Sequence, residues 1–365
     1  MSPHDDSAPP NETDEGKFDG IAAGHIGRHH VRRNPVEQPR QRVGARQTIA
    51  WPYACGIVGY HLLALLALVP WFFTWSGVVL ALAGLFVFGT LGINLGYHRL
   101  LTHRGLICPK WLERTFVVLG VCCVQDTPAR WVSVHRLHHQ HSDKPDDPHS
   151  PLGSLVWGHM GWLMVEAPEL ARLRIYERYA KDILADRFYR SLERSWRWVY
   201  VVLASWVVFF AAGFIGASVT GRTTQEALRA GGSFLVWGVF LRTVLVWHIT
   251  WSVNSLAHVW GSQRYDTGDS SRNNLFVGYV SNGEGWHNNH HADPRSARHG
   301  HAWWELDVTW LTIRLLGAVG LARCIAMPRP EWLAAAAYPP TSATGRRCAS
   351  PSRYVENTGS ASTKW

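Results

Sequence analysis

His135-Arg136-Leu137-His138-His139 decides how this chain is read. On a helix, positions i, i+3 and i+4 share one face, so this stretch brings three imidazoles together. Imidazole is a good ligand for zinc, copper and iron. Two other histidine-rich stretches flank it: His98 and His103 in YHRLLTHR, and His287, His290 and His291 in HNNHH. His258, in NSLAH, is the ninth. Each of the four clusters follows a long apolar run or lies in the polar loop after one.

The apolar runs set the fold class. From Trp51 to Phe73 the chain reads WPYACGIVGYHLLALLALVPWFF, about the 20 apolar residues that cross a bilayer as a helix. A second run, about 77–97, follows a very short turn flanked by Trp71 and Trp75, where an interfacial aromatic belt would sit. Two more cover about 196–217 and 233–257. The expectation is an all-α integral membrane protein with four transmembrane helices and a cytoplasmic, histidine-rich di-metal domain. An even number of crossings returns all four clusters to one side, and the six arginines from Arg28 to Arg46 put that side in the cytoplasm.

Residues 111–124 are apolar but too short to span, and read as a re-entrant or interfacial helix. Residues 302–323 read as an amphipathic helix lying on the membrane or capping the cytoplasmic domain. Residues 1–46 and 337–365 are polar and read as disordered tails, leaving one domain over 47–336.

Composition excludes other classes. The chain is 47% hydrophobic with 20 tryptophans, yet its mean hydropathy is only -0.09, because tails and loops dilute the apolar runs. The net charge of +9 forms no stripe with a nucleic-acid fold signature, so no nucleic-acid partner is expected. It fits attraction to membrane lipids and to acidic redox partners. Only Lys17, Lys110, Lys144, Lys181 and Lys364 are lysine among 36 basic residues, a bias typical of GC-rich genomes. That favours a bacterial inner membrane over the endoplasmic reticulum. The six cysteines form no CxxC pair and read as reduced thiols, mostly buried.

Nine histidines exceed what one four-coordinate zinc would use, whereas two metals with four or five ligands each account for them. His98 and His103 are five apart, which on a regular helix turns about 500 degrees and leaves the rings about 140 degrees apart. Either the helix end distorts there, or the two serve different metals. Asn254 precedes His258 by one turn and can reach a metal through a water. Asp143, Asp146, Asp147 and Glu284 are candidates to orient imidazole N–H groups. His61 and His248, inside apolar runs, read as packed and hydrogen-bonded, and Arg242 needs a partner or a route to the headgroups.

HRLLTHR, HRLHH and HNNHH, in this order, resemble the three histidine boxes of the membrane fatty acid desaturases. NSLAH is similar to the NxxxH element of the stearoyl-CoA, or acyl-CoA delta-9, group. GYHRLLTHRG, DPHSP and GEGWHNNHH extend the likeness over roughly residues 50–325. The resemblance implies a di-iron centre that uses dioxygen and two electrons to place a cis double bond, delta-9 by default, in a saturated acyl chain. Carried over by position, the iron ligands would be His98, His103, His135, His138, His139, His258, His287, His290 and His291, with Asn254 through a water. It also implies an acyl tunnel, for which Leu82, Phe86 and Trp251 are candidates.

Ser133-Val134 stand where animal acyl-CoA desaturases carry an Arg-Asp pair. WVSVHR resembles plant and cyanobacterial relatives instead, so the substrate is an acyl-CoA or an acyl-lipid. Electrons must come from an external donor of ferredoxin or cytochrome b5 type. The rival readings are a lipid or alkane hydroxylase of the same superfamily and, in another class, a metal transporter or sensor. The latter predicts ligands near mid-membrane.

Overall fold

The computed structural model describes residues 48–167, 170 and 172–329. The two tails expected to be disordered, 1–46 and 337–365, lie wholly outside those residues. Among the described residues β pairing is confined to isolated bridges, and the regular structure is helical. Four helices are long and apolar enough to cross a membrane: α1 (Trp51–Leu68), α2 (Trp75–Thr102), and, further on, α9 (Arg197–Val219) and α10 (Thr224–Val259). Between α2 and α9 lie α3 (Lys110–Val121), α4 (Pro128–His141), α5 (Leu155–His159), α6 (Arg172–Tyr179), α7 (Lys181–Ala185) and α8 (Arg187–Arg194). After α10 come α11 (Leu275–Val280), α12 (His287–Ala292) and α13 (Val308–Ala318).

The hairpins close through small residues and caps. Pro70 ends α1, and the Thr74 side chain caps α2 by accepting from the Gly77 N–H at 3.0 Å. Arg229 donates from α10 to the carbonyls of Trp71 and Phe73 at 3.0 and 3.1 Å, which fastens that turn. α9 and α10 approach so closely that a Cβ on Gly213 would sit 2.5 Å from the Ala230 carbonyl oxygen; glycine is the residue that permits this contact. Gly92 and Gly120 do the same for α2 and α3, with a gap of 2.5 Å from a Cβ on Gly92 to the Gly120 nitrogen.

Four boundaries differ from the sequence expectation. α1 ends at Leu68 rather than Phe73, because Val69 and Phe73 are extended on either side of a single turn at Pro70–Phe72. α10 starts at Thr224 rather than near 233, because Thr223 and Glu226 form a capping box ahead of the apolar run. α2 continues to Thr102 rather than stopping near 97, and its second half, Leu85–Thr102, is wound with i→i+5 hydrogen bonds. Only Val308–Ala318 of the expected 302–323 helix is helical. Asp307 starts it by accepting from the Trp310 N–H at 2.8 Å, so residues 302–307 stay in a loop.

Arg242, His61 and His248, which lie inside the spans, each find partners. Arg242 is fully buried; it donates to the carbonyls of Gly238 and Cys122 at 3.0 and 3.1 Å and lies 4.0 Å over the Phe88 ring. The Cys122 carbonyl belongs to the C-terminal end of α3, where a cation is favoured. His61 and His248 meet at 3.0 Å, His248 meets His159 at 3.0 Å, and the chain ends on the Ile57 carbonyl and the Ser255 hydroxyl. Each imidazole in this line offers its two nitrogens to two different neighbours. Cys55, Cys108, Cys122 and Cys123 are free, and Cys55 is exposed; Cys324 stands in a disulfide instead of as a free thiol.

Candidate metal centre

The nine box histidines converge into two groups. In the first, ring nitrogens of His98, His103, His135, His139 and His290 all lie within 4.8 Å of one another; in the second, those of His138, His258, His287 and His291 do. α4 and α12 divide their histidines by the same rule. On each, the i, i+4 pair serves one group and the residue between them, at i+3, serves the other. Thus α4 gives His135 and His139 to the first group and His138 to the second, while α12 gives His287 and His291 to the second and His290 to the first. α2 completes the first group and α10 the second.

The winding of α2 explains the spacing of His98 and His103. The His103 N–H donates to the His98 carbonyl at 3.1 Å, an i→i+5 bond. In such a turn, residues five apart lie nearly one above the other, so the rings come within 4.7 Å and share one group. Of the two alternatives left open by the sequence, the helix distorts.

The residues fit metal ions. Four rings have Nδ1 against a carboxylate: His98 on Glu284 (2.6 Å), His138 on Asp147 (3.0 Å), His258 on Asp143 (2.9 Å) and His291 on Asp269 (2.7 Å). With Nδ1 as donor, each Nε2 carries a lone pair. His287 Nε2 then faces the Nε2 atoms of both His258 (3.1 Å) and His291 (3.0 Å), and a single hydrogen can serve only one of them. His290 Nε2 is caught in the same way between His98 (3.1 Å) and His139 (2.9 Å). Lone pairs at that distance repel unless a cation lies between them; nitrogens about 2.1 Å from one ion and at right angles to each other stand roughly 3.0 Å apart. Nε2 of His103 and of His138 is buried with no hydrogen-bond partner.

Charge agrees with geometry. Burial, and after it the neighbouring imidazoles, hold His103, His135, His139, His287, His290 and His291 well below the usual histidine range. All six are therefore neutral, the form that binds metal. Burial opposes ionisation of Glu284, but Arg99, His299 and His98 overcome it and hold the carboxyl far below its ordinary value. Asp147 is held low against burial chiefly by His138.

An apolar cavity of about 410 Å³ opens onto His98, His135 and His287. Trp131, Trp247 and Trp251 form much of its wall, and Asn254 and Glu284 face it beside the histidines. Trp131 stacks on His135, 4.9 Å between centroids and 22° between planes. Gln125 donates to the Thr250 hydroxyl at 3.0 Å, tying the turn after α3 to α10 at the same wall. Of the three tunnel candidates, Trp251 lines this cavity. Leu82 and Phe86 do not: they lie on the outer face of α2, 61% and 37% exposed, where the chain would meet lipid. Position along α2 relative to His98 fixes their depth but not which way they face.

Several residues of the site had no sequence signal. Asp269 lies 22 positions from the histidine it holds, whereas Asp146, which the sequence did nominate, is 79% exposed and only 3.8 Å from His141. Arg99 is buried between Glu284 (2.8 Å) and Asp307 (2.9 Å). The two asparagines of HNNHH are a buried scaffold. Asn288 accepts from the N–H groups of Arg264 and Tyr265 at 2.7 and 2.8 Å, and Asn289 bonds Asn273, Glu305 and the His299 carbonyl. Polar residues between ligands were the signal available for that role.

Fold and site together define a class: a helical protein with four membrane-crossing candidates whose histidine groups can hold metal at the end of an apolar cavity. Residues 71–315 match the family model described as fatty acid desaturase. The chain is 41% identical over 284 residues to an sn-1 stearoyl-lipid 9-desaturase of Synechocystis sp., covering 78% of this chain and 82% of the relative. It is 42% identical over 274 residues to the enzyme of the same name from Anabaena variabilis (75% and 93%). It is also 41% identical over 270 residues to an acyl-CoA 5-desaturase of Anemone leveillei (74% and 77%). The chain belongs to the fatty acid desaturase family and is an oxidoreductase of lipid metabolism.

Proposed function

We propose that the protein removes two hydrogens from adjacent carbons of a saturated acyl chain carried on a membrane lipid, leaving a cis double bond at delta-9. The observation that carries this reading is the junction of two metal-fitted histidine groups with an apolar cavity. The stearoyl-lipid 9-desaturase names of two relatives support the position and the carrier. One relative named for acyl-CoA keeps acyl-CoA as the alternative carrier.

In this reading His98, His103, His135, His139 and His290 hold one iron ion, and His138, His258, His287 and His291 the other, with Asn254 in contact through a water. Bound iron would supply the oxidising power needed to break unactivated C–H bonds. The balance is one –CH2–CH2– unit, one dioxygen, two electrons and two protons giving one –CH=CH– unit and two waters. The electrons come from an external ferredoxin or cytochrome b5 type donor. The chain's own residues bind and exclude. Ile57, Ile93, Val124 and Val253 offer the acyl chain a dry wall, while the tryptophans beside His135 keep water from the reacting carbons. Glu284, Asp147, Asp143 and Asp269 hold four rings in the tautomer that leaves Nε2 free for metal. Residues 47–336 would form this unit, with the centre at the cytoplasmic face of a bacterial inner membrane. The arginines before α1 and the even number of candidate spans support that side.

The test is gas chromatography of fatty acids from a desaturase-deficient host expressing the chain, beside a His138→Ala, His139→Ala version. A new monounsaturated acid, absent with the double variant, is the expected result, and its double-bond position fixes the regiochemistry. Hydroxylated chains would replace desaturation by hydroxylation. No lipid change, with metal bound and a compatible donor present, would overturn the oxidase reading.

A further inference from the structure

A tenth histidine lies against the nine. His299, in the loop between α12 and α13, is fully buried; its Nε2 has no hydrogen-bond partner, and its Nδ1 faces only the Glu284 carboxylate, at 3.3 Å. Its backbone is fixed: the N–H donates to Asp307 at 2.8 Å and the carbonyl accepts from Asn289 at 2.8 Å. A buried imidazole with one nitrogen left unbonded is costlier than a leucine or phenylalanine in the same space. Its place therefore calls for a reason other than packing.

The reason lies in how the two histidine groups are supported. In the second group three rings each have a carboxylate of their own, Asp147, Asp143 and Asp269. The first group has one, Glu284, on His98, and His290 Nδ1 is buried with no partner. His299 stands where the missing support would be. Its ring is 4.4 Å from that of His290 at 35°, and its Nδ1 is 3.3 Å from Glu284 Oε2, the same atom that takes His98 Nδ1. It is not an extra ligand together with His98 Nδ1 and Glu284, because those two are already joined at 2.6 Å and leave no room for an ion between them.

We propose that His299 is a positioning residue for the five-histidine group: its ring sets the plane of His290, and its Nδ1–H steadies the Glu284 carboxylate that orients His98. The inference rests on the two-metal reading above. It predicts an asymmetry that a general packing role would not give, namely that loss of His299 loosens one ion and spares the other.

The test uses the full-length protein purified with iron, with His299→Ala and His299→Phe beside it. Iron per chain, the rate of iron loss to a chelator and the Mössbauer spectrum are read for each. Wild type should hold two irons. His299→Ala should lose one of them roughly 10- to 100-fold faster, and its spectrum should change for one iron only. His299→Phe keeps a ring beside His290 but has no Nδ1–H, so it should lose that iron about tenfold faster; it also decides the matter if the alanine variant fails to fold. Two irons lost at the wild-type rate in His299→Phe, or both irons loosened equally, would overturn the inference. Wild type holding fewer than two irons would instead end the two-metal reading itself.

Discussion

The two histidine groups are built by the same rule from α4 and α12, yet they are supported differently. The four-histidine group is enclosed, with three carboxylates drawn from two separate stretches, Asp143 and Asp147 after α4 and Asp269 after α10. The five-histidine group leans on one carboxylate, Glu284, which Arg99 shares, and two of its members, His103 and His139, are half-buried. Two of its members, His98 and His135, face the cavity, against one of the second group, His287. A centre that must meet a substrate gives up bonding partners on the side where the substrate lies. The enclosed group carries more carboxylates, and the group turned toward the cavity depends on α2 and on one shared acid.

The largest effects should come from removing one ligand on either side of this divide. His287→Ala and His290→Ala should each abolish product formation, by at least about 100-fold. They should differ in which iron is lost: His287→Ala should empty the four-histidine group and His290→Ala the five-histidine group, as read by Mössbauer spectra of the purified variants. Loss of both irons from either variant would mean that the groups assemble as one unit and that the comparison fails. Glu284→Gln comes next. It removes the one carboxylate of the first group and leaves Arg99, buried, with Asp307 as its only carboxylate beside the Ala297 carbonyl. Breaking a buried pair costs about 3–5 kcal/mol, so thermal unfolding should fall together with iron content. Asp143→Asn should be milder, because Asp147 and Asp269 still hold the group; a fall in metal affinity of about tenfold without a comparable loss of stability is expected.

Acid should strain both groups. Buried neutral histidines have folded pKa values below those of the unfolded chain, so below about pH 6.5 the unfolded state binds more protons, and stability falls as pH falls. His103, His135 and His139 of the first group and His287 and His291 of the second are all held low. The unfolding midpoint of metal-free protein should therefore drop steadily from pH 7 to pH 5. A midpoint flat over that range would mean that the rings are hydrated before unfolding. Added iron should steepen the loss, since protonation competes with coordination.

How much of this was legible depended on distance along the chain. Four apolar runs and three histidine boxes are local patterns, and the sequence showed the spans to within about three turns and brought the nine histidines into one site. Their division into five and four was not local: it depends on the i→i+5 winding of α2, and a spacing of five on a regular helix points the rings apart. Asp269 and His299 come from loops whose path no periodicity announces. Leu82 and Phe86 show the same limit from the other side, since their place along α2 fixes their height and leaves their facing undetermined.

The smallest expected effect is the most exacting test of the comparison. Asp146 and Asp147 are adjacent and chemically identical, and sequence alone ranks them together. Asp147 is buried, receives His138 Nδ1 at 3.0 Å and the Asp143 N–H at 2.8 Å, whereas Asp146 is 79% exposed and only approaches His141 at 3.8 Å. Exposed pairs of that kind contribute little. Asp146→Asn should therefore leave iron retention and product yield within error of wild type, while Asp147→Asn should lose the iron of the four-histidine group about tenfold faster. If both substitutions loosened that iron equally, support would come from the charge of the loop as a whole and not from bonds to particular rings. The contrast between three separate carboxylates and one shared carboxylate would then no longer explain how the two groups differ.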